Sequence, residues 1–151
     1  MTTGDRMRRA RKLRGMTLKD VGTALGFKES CADVRMAQYE SSSRCPRANL
    51  LNKLADVLGV SEKYLTGPKN YSADGVLRTL FEMETAGINM KIRKQNGTVA
   101  IEFSDDVLIR FLTEWKEINR RYRDGRLSKK EYELWKMCWN GSTENTIDMA
   151  V

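Results

Sequence analysis

Glycine and proline residues divide the first part of this chain into short segments. Glycines follow four stretches of helix-forming residues, and a proline lies in a loop that begins with three serines. Glycine commonly ends a helix because it adopts the left-handed backbone conformation, and proline cannot continue one. The connections between segments are too short for anything but close packing. Five short helices packed together are therefore predicted, separated by Gly15, Gly26, Pro46 and Gly59, with the fifth ending at Gly67.

Caps and apolar spacing within the segments agree with this division. Residues 4–14 form a cationic segment with a thin apolar stripe, and Thr17 and Asp20 predict a capping box at the next helix start. A third helix is predicted from near Ser30 to Glu40, with Met36 or Ala37 facing the core. The fourth helix has the i, i+3/i+4 spacing of a buried face. Its apolar residues are Leu50, Leu51, Leu54, Ala55 and Leu58, and the fifth carries Tyr64 and Leu65.

The net positive charge of the chain lies entirely in its first part. Residues 1–69 contain 14 Lys and Arg against 7 Asp and Glu, whereas residues 70–151 contain 13 of each sign. A positive excess confined to one part of a chain indicates an anionic partner there, most often nucleic acid. The charge count alone is equally compatible with a surface whose charges only keep the protein in solution.

Composition removes several classes of function. The chain has no His, so it has no Ser–His or Cys–His pair and no His-liganded metal. Its three Cys do not form a Cys-x-x-Cys pair, and free thiols in a reducing cytoplasm are expected. No apolar run is long enough for a membrane span, and the Arg-rich start is not that of a signal peptide. We expect a cytoplasmic protein with no cofactor, no metal, no catalytic residue and no membrane partner.

Three stretches of the first part carry a family resemblance. They are Thr17-Leu-Lys-Asp-Val-Gly-Thr-Ala-Leu-Gly-Phe27, then Ala37-Gln-Tyr-Glu40 followed by Pro46, and Leu54-Ala-Asp-Val-Leu-Gly-Val60-Ser-Glu-Lys-Tyr-Leu65. In order and spacing, residues 4–67 resemble the Xre-type, lambda-repressor-like helix-turn-helix family of phage repressors. The resemblance implies a close helix crossing at Gly22. It also implies a structural ion pair between Arg11 and Glu40, rather than a contact of this arginine with DNA.

The resemblance also implies that the third helix enters the major groove of DNA. Arg35 would then bond two acceptors of guanine, and Gln38 would bond adenine in the same bidentate manner. Val34 would meet a thymine methyl group or belong to the core. Asp33 has three readings: a helix cap, which we favour, a contact with cytosine, or a charge that discourages phosphate approach. The base-contact candidates are Asp33, Val34, Arg35 and Gln38.

Residues around the third helix are candidates for phosphate contacts. They lie at the start of the second helix, in the turn after it, and in the loop after the third helix: Thr17, Lys28, Ser42, Ser43, Arg44 and Arg47. Two departures from the family bear on these assignments. Leu18 replaces the glutamine that commonly contacts phosphate, and the segment containing residues 27–32 is longer than usual. Either the turn is extended, or the third helix begins a turn earlier.

Residues 70–151 match no family that we recognise. Ser72 predicts a helix start, and Asn96-Gly97 between two alternating segments predicts a β-hairpin. A two-residue turn there pairs Ile92 with Ile101 and Met90 with Phe103, which gives one apolar face. A long helix then begins near Asp105, and a capping box of Ser128 and Glu131 begins a last helix. The predicted domains are a helix-turn-helix domain (4–67), a linker (68–72), an α+β unit (73–140) and a disordered tail (141–151).

The whole chain is thus predicted to be mainly α: a five-helix, lambda-repressor-like domain and a small α+β unit of a helix, a hairpin and two helices. Since a two-stranded hairpin is not stable alone, it must pack on helices or pair with a second copy. An apolar stripe on the long helix is either a dimer interface or local core. Its candidate interface residues are Phe111, Trp115, Ile118 and Tyr122.

The leading functional reading is a DNA-binding transcriptional regulator. We expect it to bind a palindromic operator as a homodimer and to act as a repressor of phage or mobile-element type. The first alternative is an antitoxin that autoregulates its operon and binds its toxin through residues 73–140. A small-molecule effector of that unit also stays open. An enzyme is the weakest reading, because Ser128-Lys129 is better explained as a helix start than as a Ser–Lys peptidase pair.

Overall fold

The computed structural model describes residues 1–67 and 72–141. Most of the predicted linker (68–72) and of the predicted tail (141–151) lies outside these residues. Of the described residues, 1–67 and 127–141 form one compact unit, and 72–126 form a second. The described part contains eight helices and one two-stranded antiparallel sheet, so the prediction of a mainly helical fold is confirmed.

Five helices form the first part of the first unit, as predicted. Side chains of Thr2, Thr17 and Ser61 cap the starts of three of them, and Gly15 and Gly59 end two of them in the left-handed conformation. The capping box of Thr17 and Asp20 is present. The helices are α1 (Thr3–Arg14), α2 (Leu18–Ala24), α3 (Ala32–Glu40), α4 (Ala48–Leu58) and α5 (Glu62–Thr66).

The core of this unit is built from one to three side chains of each helix. Met36, and not Ala37, faces inward from α3, which resolves the alternative left open by the sequence. Core residues of the first five helices are Met7, Ala10, Val21, Met36, Tyr39, Leu54, Ala55, Leu58 and Leu65.

Arg6, Arg11 and Arg14 of α1 have structural roles. Arg6 is buried, and its Nη1 donates to the carbonyl of Gly67 at 2.7 Å. Arg14 donates to the carbonyls of Leu58 and Gly59 at 3.2 and 2.7 Å, where α4 leaves carbonyls without partners within the helix. Arg11 pairs with α3 and is described with the site below. The charge count alone does not distinguish these arginines from surface cations. In the structure they join α1 to other helices.

The last helix, α8 (Lys129–Cys138), packs on the first unit. Met137 is 1% exposed and belongs to the same core cluster, and its carbonyl accepts from the Ser61 N–H at 2.9 Å. The Cys138 thiol donates to the Gly59 carbonyl at 3.0 Å. This differs from the predicted unit 73–140, because the apolar side chain and the backbone carbonyl of Met137 both find their partners in residues 1–67.

The second unit consists of α6 (Ala73–Thr85), β1 (Met90–Gln95), β2 (Thr98–Phe103) and α7 (Asp106–Arg123). The strands pair in the predicted register, with Ile92 opposite Ile101 and Met90 opposite Phe103. Asn96 and Gly97 have φ of 50° and 79°, the left-handed values that a tight hairpin turn requires.

The apolar face of the hairpin is largely open in the described unit. Ile92 is 72% exposed, Val99 is also exposed, and α6 buries none of its residues. The sequence predicts that the hairpin either packs on helices or pairs with a second copy. In the described unit, packing on helices covers only part of its apolar face.

No helix among the described residues is both long enough and apolar enough to cross a membrane.

Replacing Met137 by alanine should destabilise the first unit, because it leaves a cavity in a core built from six helices. We expect the free energy of unfolding to fall by about 2–5 kcal/mol. Urea denaturation followed by circular dichroism measures it. The control is Val34→Ala, an exposed position of the same unit, which should change stability by less than about 0.5 kcal/mol. Equal losses in the two variants would show that α8 is not part of this core.

Candidate nucleic-acid interface

Helices α2 and α3 cross closely at Gly22. A Cβ atom added at Gly22 would lie 2.5 Å from the carbonyl oxygen of Ala32 and 2.8 Å from its Cβ. Contacts of that length do not occur, so any side chain here would push α3 away from α2. The glycine thus sets the angle at which α3 is presented.

The long segment between α2 and α3 is an extended turn. The Phe27 N–H donates to the Gly22 carbonyl at 3.0 Å and the Cys31 N–H to the Lys28 carbonyl at 3.0 Å. Helix α3 begins at Ala32. The turn is therefore extended, and the alternative prediction of an earlier start for the third helix is wrong. Cys31 occupies the cap position and makes no side-chain cap bond.

The favoured reading of Asp33 as a helix cap is wrong. Asp33 lies inside the first turn of α3, and its Oδ1 accepts from the Val34 N–H at 2.8 Å. Its side chain is exposed, which leaves it a candidate at the outer surface of α3.

Val34 and Arg35 lie on the exposed side of α3. Val34 is 55% exposed and is therefore not a core residue. The Arg35 guanidinium lies over the ring of Phe27, 5.1 Å from its centroid, which restrains a long side chain before it meets a partner. Gln38, one turn further on, is half-buried. Phe27 was not singled out from the sequence, although an aromatic residue in the turn before an outward arginine is a usable signal.

The loop after α3 is held by its own serines. The Ser43 hydroxyl donates to the Gln38 carbonyl at 3.1 Å, and the Ser42 hydroxyl contacts Thr2 Oγ1 at 3.3 Å. Ser42 has a positive φ of 60°. Both hydroxyls are already hydrogen-bonded within the protein and hold the loop in place. To contact DNA, each would have to exchange its present partner for a phosphate oxygen.

Three cations in the segments that precede and follow α3 have no carboxylate partner among the described residues. They are Lys28 in the extended turn, Arg44 in the loop and Arg47 at the cap of α4, and all three are exposed. Lys19 is different, because its Nζ lies 2.7 Å from Glu29 Oε1. The first three are therefore available to anions without breaking an ion pair.

Thr17 is exposed at the start of α2. Its Oγ1 accepts from the Asp20 N–H at 3.1 Å, and its own N–H donates to Asp20 Oδ2 at 2.7 Å. The hydrogen bonds that the backbone N–H and the side chain of Thr17 donate to the Asp20 carboxylate lower the pKa of that carboxyl. The contribution of this cap is thus complete above the carboxyl's unfolded pKa and is lost as pH falls through its folded pKa.

The carboxylate of Glu40 joins α3 to α1. Its oxygens accept from Arg11 Nε at 2.6 Å and from Arg11 Nη2 at 2.9 Å, and Arg8 Nε lies 3.3 Å away. The Glu40 side chain is 3% exposed. Its hydrogen bond raises the pKa of Arg11. The bidentate geometry of the Arg11–Glu40 pair fixes both the distance and the rotation between the two helices.

The dimer-interface candidates on α7 differ in exposure. Ile118 is 6% exposed, so it belongs to local packing and is closed to a second chain. Phe111 and Tyr122 are half-buried, and Trp115 is 47% exposed. The apolar side chains of this unit with the highest exposed fractions lie elsewhere, on α6 (Phe81) and on the hairpin (Ile92 and Val99).

Among residues 1–67 and 72–141, no group of three or more acidic, Cys or His side chains is placed to hold a metal ion.

Residues 3–64 match the family model of a helix-turn-helix domain, and the geometry of α2, the turn and α3 agrees with that class. A crystal structure of the transcriptional regulator BswR is similar, with 27% sequence identity and a TM-score of 0.43. The match covers 56% of this chain and 94% of that one. No curated protein sequence matches this chain significantly. A helix-turn-helix domain supports DNA binding by residues 3–64.

Replacing Glu40 by alanine should strongly destabilise the first unit, because Arg11 would lose the partner that compensates its burial. We expect a loss of about 3–5 kcal/mol in the free energy of unfolding. Glu29→Ala breaks the exposed pair with Lys19 and should cost less than about 1 kcal/mol. Urea denaturation of both variants makes the comparison, and a loss at Glu40 no larger than at Glu29 would contradict a positioning role for the pair.

Proposed function

We propose that this protein is a sequence-specific DNA-binding transcriptional regulator that inserts α3 into the major groove. The observation that carries the proposal is the outward face of α3. On it Arg35 is held over Phe27, and the turn before α3 and the loop after it carry three exposed cations without ion pairs among the described residues. A surface of this kind offers both base-edge donors and phosphate ligands.

The exposed residues of α3 suit base-edge contacts. Arg35 can donate two hydrogen bonds to guanine, and Gln38 can form a bidentate pair with adenine. Val34 offers an apolar surface to a thymine methyl group, and Asp33 accepts from the amino group of cytosine. Arg35 is the strongest of the four candidates, because its stacking on Phe27 reduces the rotamer freedom lost on binding.

Phosphate contacts come from both ends of the motif. Lys28, Arg44 and Arg47 supply the charge, and the exposed Thr17 hydroxyl contributes after it exchanges its hydrogen bond with the Asp20 carboxylate for one with a phosphate oxygen. Ser42 and Ser43 contribute after release from the loop. These contacts position the domain and carry no base preference themselves.

The regulator acts as a homodimer on a palindromic operator, in the manner of Xre-type repressors of phages and mobile elements in the cytoplasm. A second copy would supply the second half-site, one helical turn away at about 34–36 Å. In support, the second unit exposes large apolar side chains, with Phe81 on α6 and Ile92 on β1.

An antitoxin is the second candidate, and the same exposed side chains favour it. An apolar surface on the unit that does not read DNA could receive a toxin instead of a second copy. The two candidates predict different molecular masses for the protein when neither DNA nor a partner is present. Sedimentation equilibrium without DNA should give a dimer for the first, whereas a monomer that dimerises only with a co-expressed partner would support the second.

Arg35→Ala should relax base preference, because it removes two donors to a base edge. We expect the ratio of specific to non-specific affinity to fall about 5–150-fold, which corresponds to a loss of about 1–3 kcal/mol in discrimination free energy. The measurement is fluorescence anisotropy on the DNA upstream of the protein's own gene and on a shuffled copy, across a range of salt.

Arg47→Ala is the matched control, since it removes the same charge from a phosphate-contact position. It should weaken binding to both duplexes equally and reduce the salt slope by about one. If Arg35→Ala behaves in the same way as Arg47→Ala, α3 does not read bases. If the parent protein binds both duplexes equally, the proposal of sequence-specific regulation fails.

A further inference from the structure

Helix α1 has an outward cationic edge that the proposed DNA contacts do not use. Arg6, Arg11 and Arg14 are committed to other helices, as described above. The three remaining basic residues, Arg8, Arg9 and Lys12, point away from the core, and the first two have side chains about half exposed.

Helix α8 adds a second cationic edge beside the first. Glu133 forms an ion pair with Arg9, which together with Met137 holds α8 against α1. The first two residues of α8, Lys129 and Lys130, are exposed. Between the two helices runs an open groove of about 660 Å³, lined by Asp5, Arg8, Arg9, Lys12, Leu13, Lys129, Lys130 and Glu133.

The groove carries uncompensated positive charge. Five basic residues and two acidic ones line it, which leaves an excess of three positive charges. Both carboxylates already have partners: Asp5 accepts from the Thr2 N–H at 2.8 Å, and Glu133 binds Arg9 and Lys136. Within the described chain, Lys12, Lys129 and Lys130 have no carboxylate partner. Like charges gathered in one groove repel one another, and an anion that enters it relieves this repulsion.

The groove begins beside the loop that follows α3. A Cβ at Gly4 would lie 2.5 Å from the Glu40 carbonyl oxygen, so the first turn of α1 packs directly on the end of α3. Thr2 contacts Ser42 of the loop at 3.3 Å, and Arg8 lies 3.3 Å from Glu40. The α1 side of the groove therefore lies beside the end of α3 and beside Ser42 of the loop that follows it.

We propose that the α1–α8 groove binds the phosphate backbone of DNA that flanks the segment read by α3. This inference rests on the proposed function and extends its footprint. An open groove of flexible lysines suits a repeating anion, because phosphate contacts need charge but no shaped pocket. An acidic protein segment fits less well, since Leu13 is the only apolar residue of the lining and protein interfaces depend on buried apolar or aromatic anchors.

The test compares two triple variants with equal charge change. The first replaces Lys12, Lys129 and Lys130 by glutamine. The control replaces Lys91, Lys94 and Lys116, which are exposed lysines of the second unit. Binding is measured by fluorescence anisotropy across a range of salt, on a short duplex limited to the operator and on one extended at both ends. Each duplex is prepared with the operator and with a shuffled sequence.

On the extended duplex, the groove variant should lose about 2–3 units from the slope of log affinity against log salt, because each lost phosphate contact reduces the slope by about 0.9. The control variant should keep the parent slope, and the groove variant should match the parent on the short duplex. Base preference should not change, since backbone contacts do not discriminate between sequences.

Equal slopes for the groove variant and the parent on the extended duplex would overturn the inference. So would equal losses in the two triple variants, which would reflect net charge alone. Poly-glutamate that binds the parent through these lysines, without any dependence of DNA affinity on duplex length, would indicate an acidic protein instead and also overturn it. The shuffled duplexes separate this test from the proposed function, because a length-dependent slope survives there even if sequence preference is absent.

Discussion

The buried carboxylate of Glu40 is the interaction on which the first unit depends. It lies at the last residue of α3 and receives Arg11 in a bidentate pair, with Arg8 nearby. A buried charge of this kind is costly unless it is paired and hydrogen-bonded, so arrangements of α1 and α3 that separate Glu40 from its arginine partners are disfavoured. The first turn of α1 packs against the same end of α3 at Gly4. The Glu40 side chain therefore positions the exposed face of α3 relative to α1, which forms one wall of the cationic groove.

Presentation of α3 requires two further local constraints. Gly22 permits the close approach of α2, and the extended turn between the helices brings Phe27 under Arg35. The additional residues of this turn therefore supply the aromatic ring on which Arg35 stacks, as well as extra length. An arginine stacked on an aromatic ring has fewer conformations to lose when it binds, which favours direct contact with a base edge.

The return of α8 to the first unit changes the domain organisation. Residues 72–126 leave the helix-turn-helix unit after α5, and the chain comes back to it at Leu127, so the second unit is an insertion with two connections. Met137 completes the core, and Lys129 and Lys130 complete a groove with α1. A helix that looks like the end of a C-terminal domain is, in three dimensions, the sixth helix of the N-terminal one.

The sequence by itself determined the local features of this protein: the helix boundaries set by Gly15 and Gly59, the Thr17–Asp20 box, and the hairpin register around Asn96-Gly97. These depend on interactions between residues close in the chain, where spacing is decisive. Only the tertiary structure decided which cations are structural, because Arg6 is buried and Lys12 is exposed although both are basic residues of one helix. It also decided the start of α3, the exposure of Val34, the stacking of Arg35 on Phe27 and the packing of α8. Each depends on partners distant in the chain or on competition between packings, which local periodicity does not encode.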